Sequence, residues 1–143
     1  RCVRRSRAES VGDAVAGDGR KAVFLADTTG ELMGLFGISS AAFVGKSLCE
    51  HGSQNMIEPC LCGVPTVVGP YTENFRPVMS DLLAADAIVQ VEDEEGLRSA
   101  VRRFFDPGER EYAAALGERA KAAVERRRGG TERCAKDILS YLA

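Results

Sequence analysis

The sequence lacks the features that mark several common classes of protein. No uninterrupted apolar run among its 143 residues approaches the ~18 residues that a membrane-crossing helix needs. Its net charge of -2 gives no basic field over the whole molecule, so the composition does not indicate nonspecific nucleic-acid binding. It has no signal-peptide pattern, and its five cysteines are an odd number, which predicts reduced thiols in the cytoplasm and not a disulfide framework.

The length and the 45% hydrophobic content predict one domain with its own core, spanning residues 1–143. The chain opens on Arg1 and not on Met, and Cys2–Val3 resembles the end of a strand. We therefore expect a fragment of a longer protein. No internal repeat or low-complexity segment is evident, and the loop most expected to be flexible is Gly12–Gly19.

Short apolar runs alternate along the chain with segments of helical periodicity. The runs of strand length are Ala22–Ala26, Ala41–Val44, Thr66–Val68 and Ile88–Val91, with a weaker one at Cys2–Arg4. That alternation is typical of a parallel sheet covered by helices. We therefore predict an α/β fold with helices on both faces of a parallel sheet.

Apolar residues at helical spacing predict which segments cover the sheet. Two stripes follow the i, i+3, i+4, i+7, i+8 pattern: Phe75, Val78, Met79, Leu82 and Leu83, and Leu97, Ala100, Val101, Phe104 and Phe105. Asp106–Pro107, with Glu109 following, predicts the capped start of a helix that runs to about Arg128. Gly129–Gly130 should end that helix, and Thr131 is expected to cap a last one.

Two of the predicted strand-to-helix turns contain residues suited to an anionic ligand. The first holds Thr28, Gly30 and Glu31, and the second holds Gly45, Lys46 and Ser47. Ligands of open α/β sheets bind at the carboxyl ends of the strands, where such turns lie. A glycine lets a ligand approach the backbone, and lysine and serine donate to phosphate or carboxylate oxygens. A simple helix cap at Asp27 or Thr28, and a solvated Lys46, are the alternatives.

A third turn precedes a predicted helix start at Glu58–Pro59. It contains Gly52, Ser53, Gln54 and Asn55. A helix entrance points free backbone N–H groups and the positive end of its dipole at one spot, which suits an anion. Proline is tolerated in the first helical turn, so Pro59 holds Glu58 at that end, where its carboxylate can accept hydrogen bonds from paired sugar hydroxyls. A nucleotide is therefore the predicted ligand, and a purely structural capping role for Glu58 is the alternative.

The sequence offers no convincing metal, cofactor or hydrolase motif. His51 is the single histidine, and three cysteines lie near it. Two of these, Cys60 and Cys62, are two residues apart on a predicted helix and point about 200° from each other, so they cannot share one zinc ion. The first turn contains no G-x-G-x-x-G, and the chain contains no G-x-S-x-G elbow. We therefore expect no metal and no cofactor.

Taken together, these segments resemble the carboxyl-terminal half of the 3-deoxy-D-manno-octulosonic acid (Kdo) transferases, which add Kdo to lipid A. The matching segments are D-T-T-G-E-L at 27–32, A-F-V-G-K-S-L at 42–48, H-G-S-Q-N-M-I-E-P at 51–59, G-V-P at 63–65, G-P-Y-T at 69–72 and N-F at 74–75. The resemblance covers most of the chain, from about Val3 to the end, and the ordered set of segments is specific. The family pattern has a second glycine where this chain has Lys46, and another where it has Ser53.

The resemblance implies the GT-B glycosyltransferase fold, in which this chain is the Rossmann-like carboxyl-terminal domain that binds the donor CMP-Kdo. Glu58 would hold the ribose, and the turns at Gly30–Glu31, Gly45–Ser47 and Gly52–Asn55 would surround the phosphate, the cytosine and the donor sugar. The catalytic base and the domain that binds the lipid A precursor would lie in an absent amino-terminal domain. This chain therefore holds no expected catalytic residue, and alone it should be inactive.

For the full-length enzyme the resemblance implies an inverting transfer of Kdo in lipopolysaccharide biosynthesis, at the cytoplasmic side of the bacterial inner membrane. Peripheral membrane contact is expected only of the full-length protein, and no nucleic-acid partner is expected. Two alternatives remain. One is a GT-B transferase that uses a UDP-sugar, because Glu58–Pro59 and Gly63-x-Pro65 are shared widely across that fold. The other is a nucleotide-binding module that has lost catalysis.

Overall fold

A computed structural model describes residues 2–7, 23–127 and 129–141. The predicted loop Gly12–Gly19 lies outside the described residues. The chain divides into two compact units, Arg1–Leu35 and Phe36–Ala143, and each contains a parallel sheet. None of the described helices is long and apolar enough to cross a membrane.

The first unit contains a two-stranded parallel sheet. Strand β1, Cys2–Arg4, pairs with β2, Val23–Leu25, and Val3 lies opposite Phe24. A short 3-10 helix, Arg5–Arg7, follows β1 directly, and helix α1, Leu32–Gly37, follows β2. The predicted strand Ala22–Ala26 is therefore confirmed in its centre.

The second unit contains a three-stranded parallel sheet in the order β3-β4-β5. Its strands are β3, Ala42–Phe43, β4, Thr66–Val68, and β5, Val89–Gln90. The central strand is buried throughout, because helices cover both of its faces. This is why its sequence, T-V-V, shows no alternation between polar and apolar residues. The outer strands are shorter than predicted, with two residues each in register with β4.

Five α-helices follow among the described residues of the second unit. They are α2, Ile57–Leu61, α3, Arg76–Ala84, α4, Glu94–Phe104, α5, Arg110–Glu125, and α6, Gly130–Ser140. Helix α4 begins where Asp93 accepts a 2.8 Å hydrogen bond from the Gly96 N–H. That bond satisfies one of the unpaired amides of the first helical turn. Helix α2 packs against α5, which fixes the direction in which α2 leaves its loop.

The predicted helix boundaries around α5 need two corrections. Asp106 does accept a 2.8 Å hydrogen bond from Gly108 N–H, but Pro107–Glu109 is a 3-10 turn and α5 starts only at Arg110. The carboxylate of Glu109 bonds to Arg103, 2.9 Å away, and not to the helix start. Gly129 has the left-handed φ of +86° and is itself the N-cap of α6, so the prediction that Thr131 caps this helix is wrong.

The core of the second unit forms two clusters, one on each face of the sheet. Val67 packs on one face with Phe104 and Leu116, and its neighbour Val68 packs on the other with Met79 and Leu82. Consecutive residues of a strand point to opposite faces, so a central strand supplies both clusters. The predicted α/β fold, with helices on both faces of a parallel sheet, is thereby confirmed.

Candidate functional site

Two of the three predicted ligand-facing turns meet in the second unit. Turn 45–48 follows β3, and loop 52–55 leads into α2. The Gln54 N–H donates to the Gly45 carbonyl across 3.3 Å. A β-carbon built on Gly52 would lie 3.7 Å from the Lys46 Nζ atom. The structure therefore brings Gly45, Lys46, Gly52 and Gln54 together, as the sequence predicted.

Lys46 occupies a backbone conformation that favours glycine. Its φ is +70°, which is uncommon for a residue with a β-carbon because the side chain crowds the backbone carbonyl. The residue is exposed, and its ammonium reaches the loop at Gly52. The left-handed backbone gives a physical reason for the glycine that the family pattern has at this position. In this chain Lys46 adopts the strained left-handed backbone and adds a positive charge to the turn.

Ser47 is fully buried, and its hydroxyl is used inside the protein. The Oγ atom donates to the Val44 carbonyl across 2.6 Å and accepts from the Gly69 N–H across 2.8 Å. The Ser47 carbonyl also accepts from the Tyr71 N–H at 3.0 Å. A β-carbon on Gly69 would lie 2.2 Å from that carbonyl oxygen, so only glycine fits there. Ser47 therefore holds turn 45–48 against the end of β4, and its side chain does not face solvent.

Ser53 is similarly occupied. Its N–H donates to Asn74 Oδ1 across 2.8 Å, and its carbonyl accepts from Asn74 Nδ2 across 2.9 Å. Its hydroxyl donates to the Gln54 carbonyl across 2.8 Å, and only 7% of the residue is exposed. Asn74 is a residue of this site that the sequence prediction did not include. Its presence in the N-F segment of the matching pattern was the available signal.

Glu58 lies half-buried in the first turn of α2, where Pro59 was predicted to hold it. Asn55 connects the helix to its loop: its Oδ1 accepts from the Ile57 N–H at 3.0 Å, and its Nδ2 donates to Glu58 Oε1 at 2.9 Å. Met56, the residue just before the helix, is fully buried in the core. The second carboxylate oxygen, Oε2, accepts no hydrogen bond from the residues that the structure describes. Asn55 thus orients a carboxylate that keeps an acceptor for a ligand.

The remaining predicted turn belongs to the first unit. The Thr28 hydroxyl donates to Glu31, whose carboxylate also accepts from Arg5 at 2.8 Å and 3.1 Å. These bonds, first from Thr28 and then from Arg5, lower the pKa of Glu31. Gly30 has a φ of +84° between them. Sequence reasoning missed Arg5, although basic residues directly after β1 were a visible signal.

Asp27 is not a helix cap, which was one of the alternatives for this first turn. Its carboxylate accepts from the Ser6 N–H at 2.9 Å and from the Ser6 hydroxyl at 2.8 Å. These bonds lower the pKa of Asp27, the backbone one having the larger effect. Asp27 therefore ties the end of β2 to the segment after β1. A part for Thr28, Gly30 and Glu31 in ligand binding stays a prediction.

The histidine and the cysteines do not converge on a metal site. His51 Nδ1 lies 2.8 Å from Glu73 Oε1, and its ring packs against Tyr71 with centroids 4.9 Å apart. Cys60 is buried, and burial raises the pKa of its thiol to about 11. Among the described residues, no group of three or more His, Cys, Asp or Glu side chains is arranged to hold a metal ion.

Comparison with known proteins identifies relatives of this chain, although no family model matches it. It is 36% identical over 121 residues to the 3-deoxy-D-manno-octulosonic acid transferase of Bordetella pertussis. It is 32% identical over 121 residues to the enzyme of the same name from Haemophilus influenzae. Each alignment covers 84% of this chain and 28% of the relative. The chain belongs to the Kdo transferase family.

A solved structure shows which part of a related protein this chain resembles. The chain matches the carboxyl-terminal CMP-Kdo binding domain of WaaA from Acinetobacter baumannii with a TM-score of 0.73 and 30% sequence identity. The match covers 86% of this chain and 60% of the solved one. The resemblance read from the sequence, including its assignment to a carboxyl-terminal GT-B domain, is therefore confirmed. The chain spans little more than a quarter of the length of its curated relatives.

Proposed function

We propose that residues 1–143 form the donor-binding domain of a Kdo transferase. In this proposal the domain binds CMP-Kdo, and the full-length enzyme transfers Kdo to a lipid A precursor at the cytoplasmic side of the inner membrane. The similarity to a CMP-Kdo binding domain supports the choice of donor. Because the chain spans 28% of its curated relatives, we assign the catalytic base and the acceptor site to the remainder of the enzyme.

The observation that best supports donor binding is the junction of turn 45–48 with loop 52–55 beside Glu58. The two segments are joined by the hydrogen bond from Gln54 to Gly45, and Asn55 joins the loop to Glu58. This junction places the Lys46 ammonium beside Gly52 and the Glu58 carboxylate beside Asn55, and Lys46, Gln54 and Asn55 are exposed. A nucleotide-sugar offers the complementary groups, since its phosphate is anionic and its ribose has paired hydroxyls.

The two charged side chains have different parts in this proposal. The Lys46 ammonium, beside Gly52, suits the phosphate or the sugar carboxylate of CMP-Kdo. The free oxygen of Glu58 suits the ribose hydroxyls. As CMP leaves, negative charge grows on its phosphate. A fixed cation at that place stabilises the transition state more than the ground state, and so accelerates the transfer.

Calorimetric titration of this chain with CMP, UMP and UDP tests the proposal. We expect weak binding of CMP, because the part of the enzyme that completes the cleft is absent, and weaker binding of UMP and UDP. The matched control is Glu58→Gln, which removes the charge and leaves the side-chain shape. If UDP bound more tightly than CMP, a transferase that uses a UDP-sugar would replace a Kdo transferase as the proposed function.

A second measurement separates a transferase from a nucleotide-binding module without catalysis. The full-length protein is given CMP-Kdo with and without a lipid A precursor, and release of CMP is followed. We expect release that depends on the acceptor. CMP binding by the full-length protein without any acceptor-dependent release would favour the noncatalytic module.

A further inference from the structure

We infer that Asn74 is a positioning residue for the donor: it sets the backbone of loop 52–55 in the conformation that binds CMP. This inference rests on the proposed function. Its basis is the pair of hydrogen bonds from one side chain to both backbone groups of Ser53, at 2.8 Å and 2.9 Å. A side-chain amide donates from its nitrogen and accepts at its oxygen at the same time, as the backbone of a neighbouring strand would. Asn74 therefore replaces a strand partner for a loop that has none from the sheet.

Asn74 itself stands on a well-supported segment. It lies in the 3-10 turn Glu73–Phe75, where the Phe75 N–H donates to the Thr72 carbonyl at 2.9 Å. Residues just before it are bonded to buried Ser47 and to Gln90, whose Nε2 donates to the Gly69 carbonyl at 3.2 Å. The segment that follows β4 is therefore well restrained. The hydrogen bond from the Ser53 N–H to Asn74 joins loop 52–55 to this segment, 21 residues away in the sequence.

At its helix end the loop is held by Asn55, which bonds to the Ile57 N–H at 3.0 Å and to Glu58 at 2.9 Å, but its other supports nearer Gly52 are weaker. Gly52 has a φ of +82°, a conformation that glycine enters and leaves at little cost. The Gln54–Gly45 hydrogen bond is long, at 3.3 Å. The 2.8 Å hydrogen bond between His51 and Glu73 joins the same two segments, but the His51 side chain is 86% exposed, and such exposed contacts contribute little. Asn74 is therefore the main restraint on the end of the loop at Gly52 and Ser53.

The position of Asn74 also connects it to the proposed phosphate contact. A β-carbon built on Gly52 would lie 3.6 Å from Asn74 Oδ1 and 3.7 Å from Lys46 Nζ. A shift of the loop would therefore change the space beside the Lys46 ammonium. A ligand that uses the loop backbone and this cation together needs both held in register, since small displacements of positioning groups weaken binding strongly.

The test uses this chain with CMP as the probe and compares four proteins: wild type, Asn74→Ala, Asn74→Asp and Glu73→Gln. Asn74→Ala loses both bonds to Ser53 and should weaken CMP binding about 10- to 30-fold. Asn74→Asp keeps the shape and the acceptor for the Ser53 N–H, and should also bind CMP more weakly. Glu73→Gln removes the charge from the exposed contact with His51 in the same turn and should stay within about twofold of wild type. Amide hydrogen exchange at Ser53 should accelerate in Asn74→Ala and not in Glu73→Gln.

The outcomes separate this inference from the proposed function. If wild type bound no CMP, both would fall. If wild type bound CMP and both Asn74 variants bound it equally well, only the positioning role would be overturned. Asn74→Asp keeps the test decisive should Asn74→Ala fold poorly. In the full-length enzyme, a positioning role predicts a raised KM for CMP-Kdo with the KM for the acceptor unchanged, whereas general destabilisation would not select one substrate.

Discussion

Replacing Lys46 with glycine should change stability and donor binding in different directions. Lys46 combines a left-handed backbone, with φ at +70°, and an ammonium that reaches Gly52. Lys46→Gly removes the backbone strain and the charge together. Lys46→Asn is the matched control, because asparagine tolerates the left-handed region and carries no charge.

The expected change in the free energy of unfolding is small. A residue with a β-carbon in the left-handed region costs roughly 1–2 kcal/mol. Glycine avoids that cost but loses more conformational entropy on folding, by roughly 0.5–1 kcal/mol. The two effects largely offset each other. We therefore expect Lys46→Gly to leave the stability of the folded chain unchanged or to raise it by up to about 1 kcal/mol.

In contrast to stability, CMP affinity should fall. A hydrogen bond to a charged group contributes about 1.5–3 kcal/mol when it is well protected, and exposure reduces this. Since Lys46 is exposed, we expect a loss of about 1 kcal/mol, or roughly fivefold in Kd, for both Lys46→Gly and Lys46→Asn. Salt screens such a contact, so the difference from wild type should shrink between low and high ionic strength.

Two measurements on the same variants check this reasoning. Urea unfolding gives the stability, and calorimetry with CMP at two salt concentrations gives the affinity. Unchanged affinity in both variants would remove Lys46 from the proposed site. A fall in stability of more than about 1 kcal/mol in Lys46→Gly would mean that the left-handed conformation is not the source of strain that we infer.

Three further predictions concern other residues of the second unit and the thiols. Glu58→Gln should weaken CMP binding by about 1–3 kcal/mol with the fold intact; a loss of folding without a specific loss of binding would favour a structural cap. Gly69→Ala should destabilise the chain by about 3 kcal/mol in urea unfolding, because its β-carbon would lie 2.2 Å from Ser47 O, whereas Gly45→Ala, with no atom within 4 Å, should stay near wild type. All five thiols should titrate as free, with buried Cys60 reacting last, and native mass spectrometry should find no bound zinc; stoichiometric zinc would contradict this.

The sequence predicted best where local pattern decides the structure. Strand β4 was predicted to the residue, because a short apolar run between Pro65 and Gly69 has no other way to bury both faces. The apolar stripe of α3 likewise identified Met79 and Leu82, which the core buries. Boundaries were less accurate. Thr131 was expected to cap the last helix, but Gly129, expected only to end the helix before it, has a left-handed backbone and is the N-cap.

Prediction of the site was limited by contacts between distant residues. Ser47 and Ser53 stand in glycine-rich turns, where a hydroxyl can serve either a ligand or the backbone. Each residue has a partner more than 20 residues away: the Gly69 N–H donates to the Ser47 hydroxyl, and Asn74 bonds to the backbone of Ser53, whose hydroxyl donates to the Gln54 carbonyl. No local pattern marks such a pair. The same reason explains why Asn74 was not predicted as part of the site.

Because these serine hydroxyls bond within the protein, fewer polar groups of the site are left to contact a donor. With the Ser47 and Ser53 hydroxyls occupied, we propose that the donor is recognised by loop backbone, by Lys46 and by the carboxylate that Asn55 orients. The cation and the carboxylate stand near opposite ends of loop 52–55. On the proposed function, a nucleotide therefore has one preferred direction, with its phosphate toward Lys46 and its ribose toward Glu58. The loop between them sets the spacing, so its conformation, and hence Asn74, matters as much as either charge.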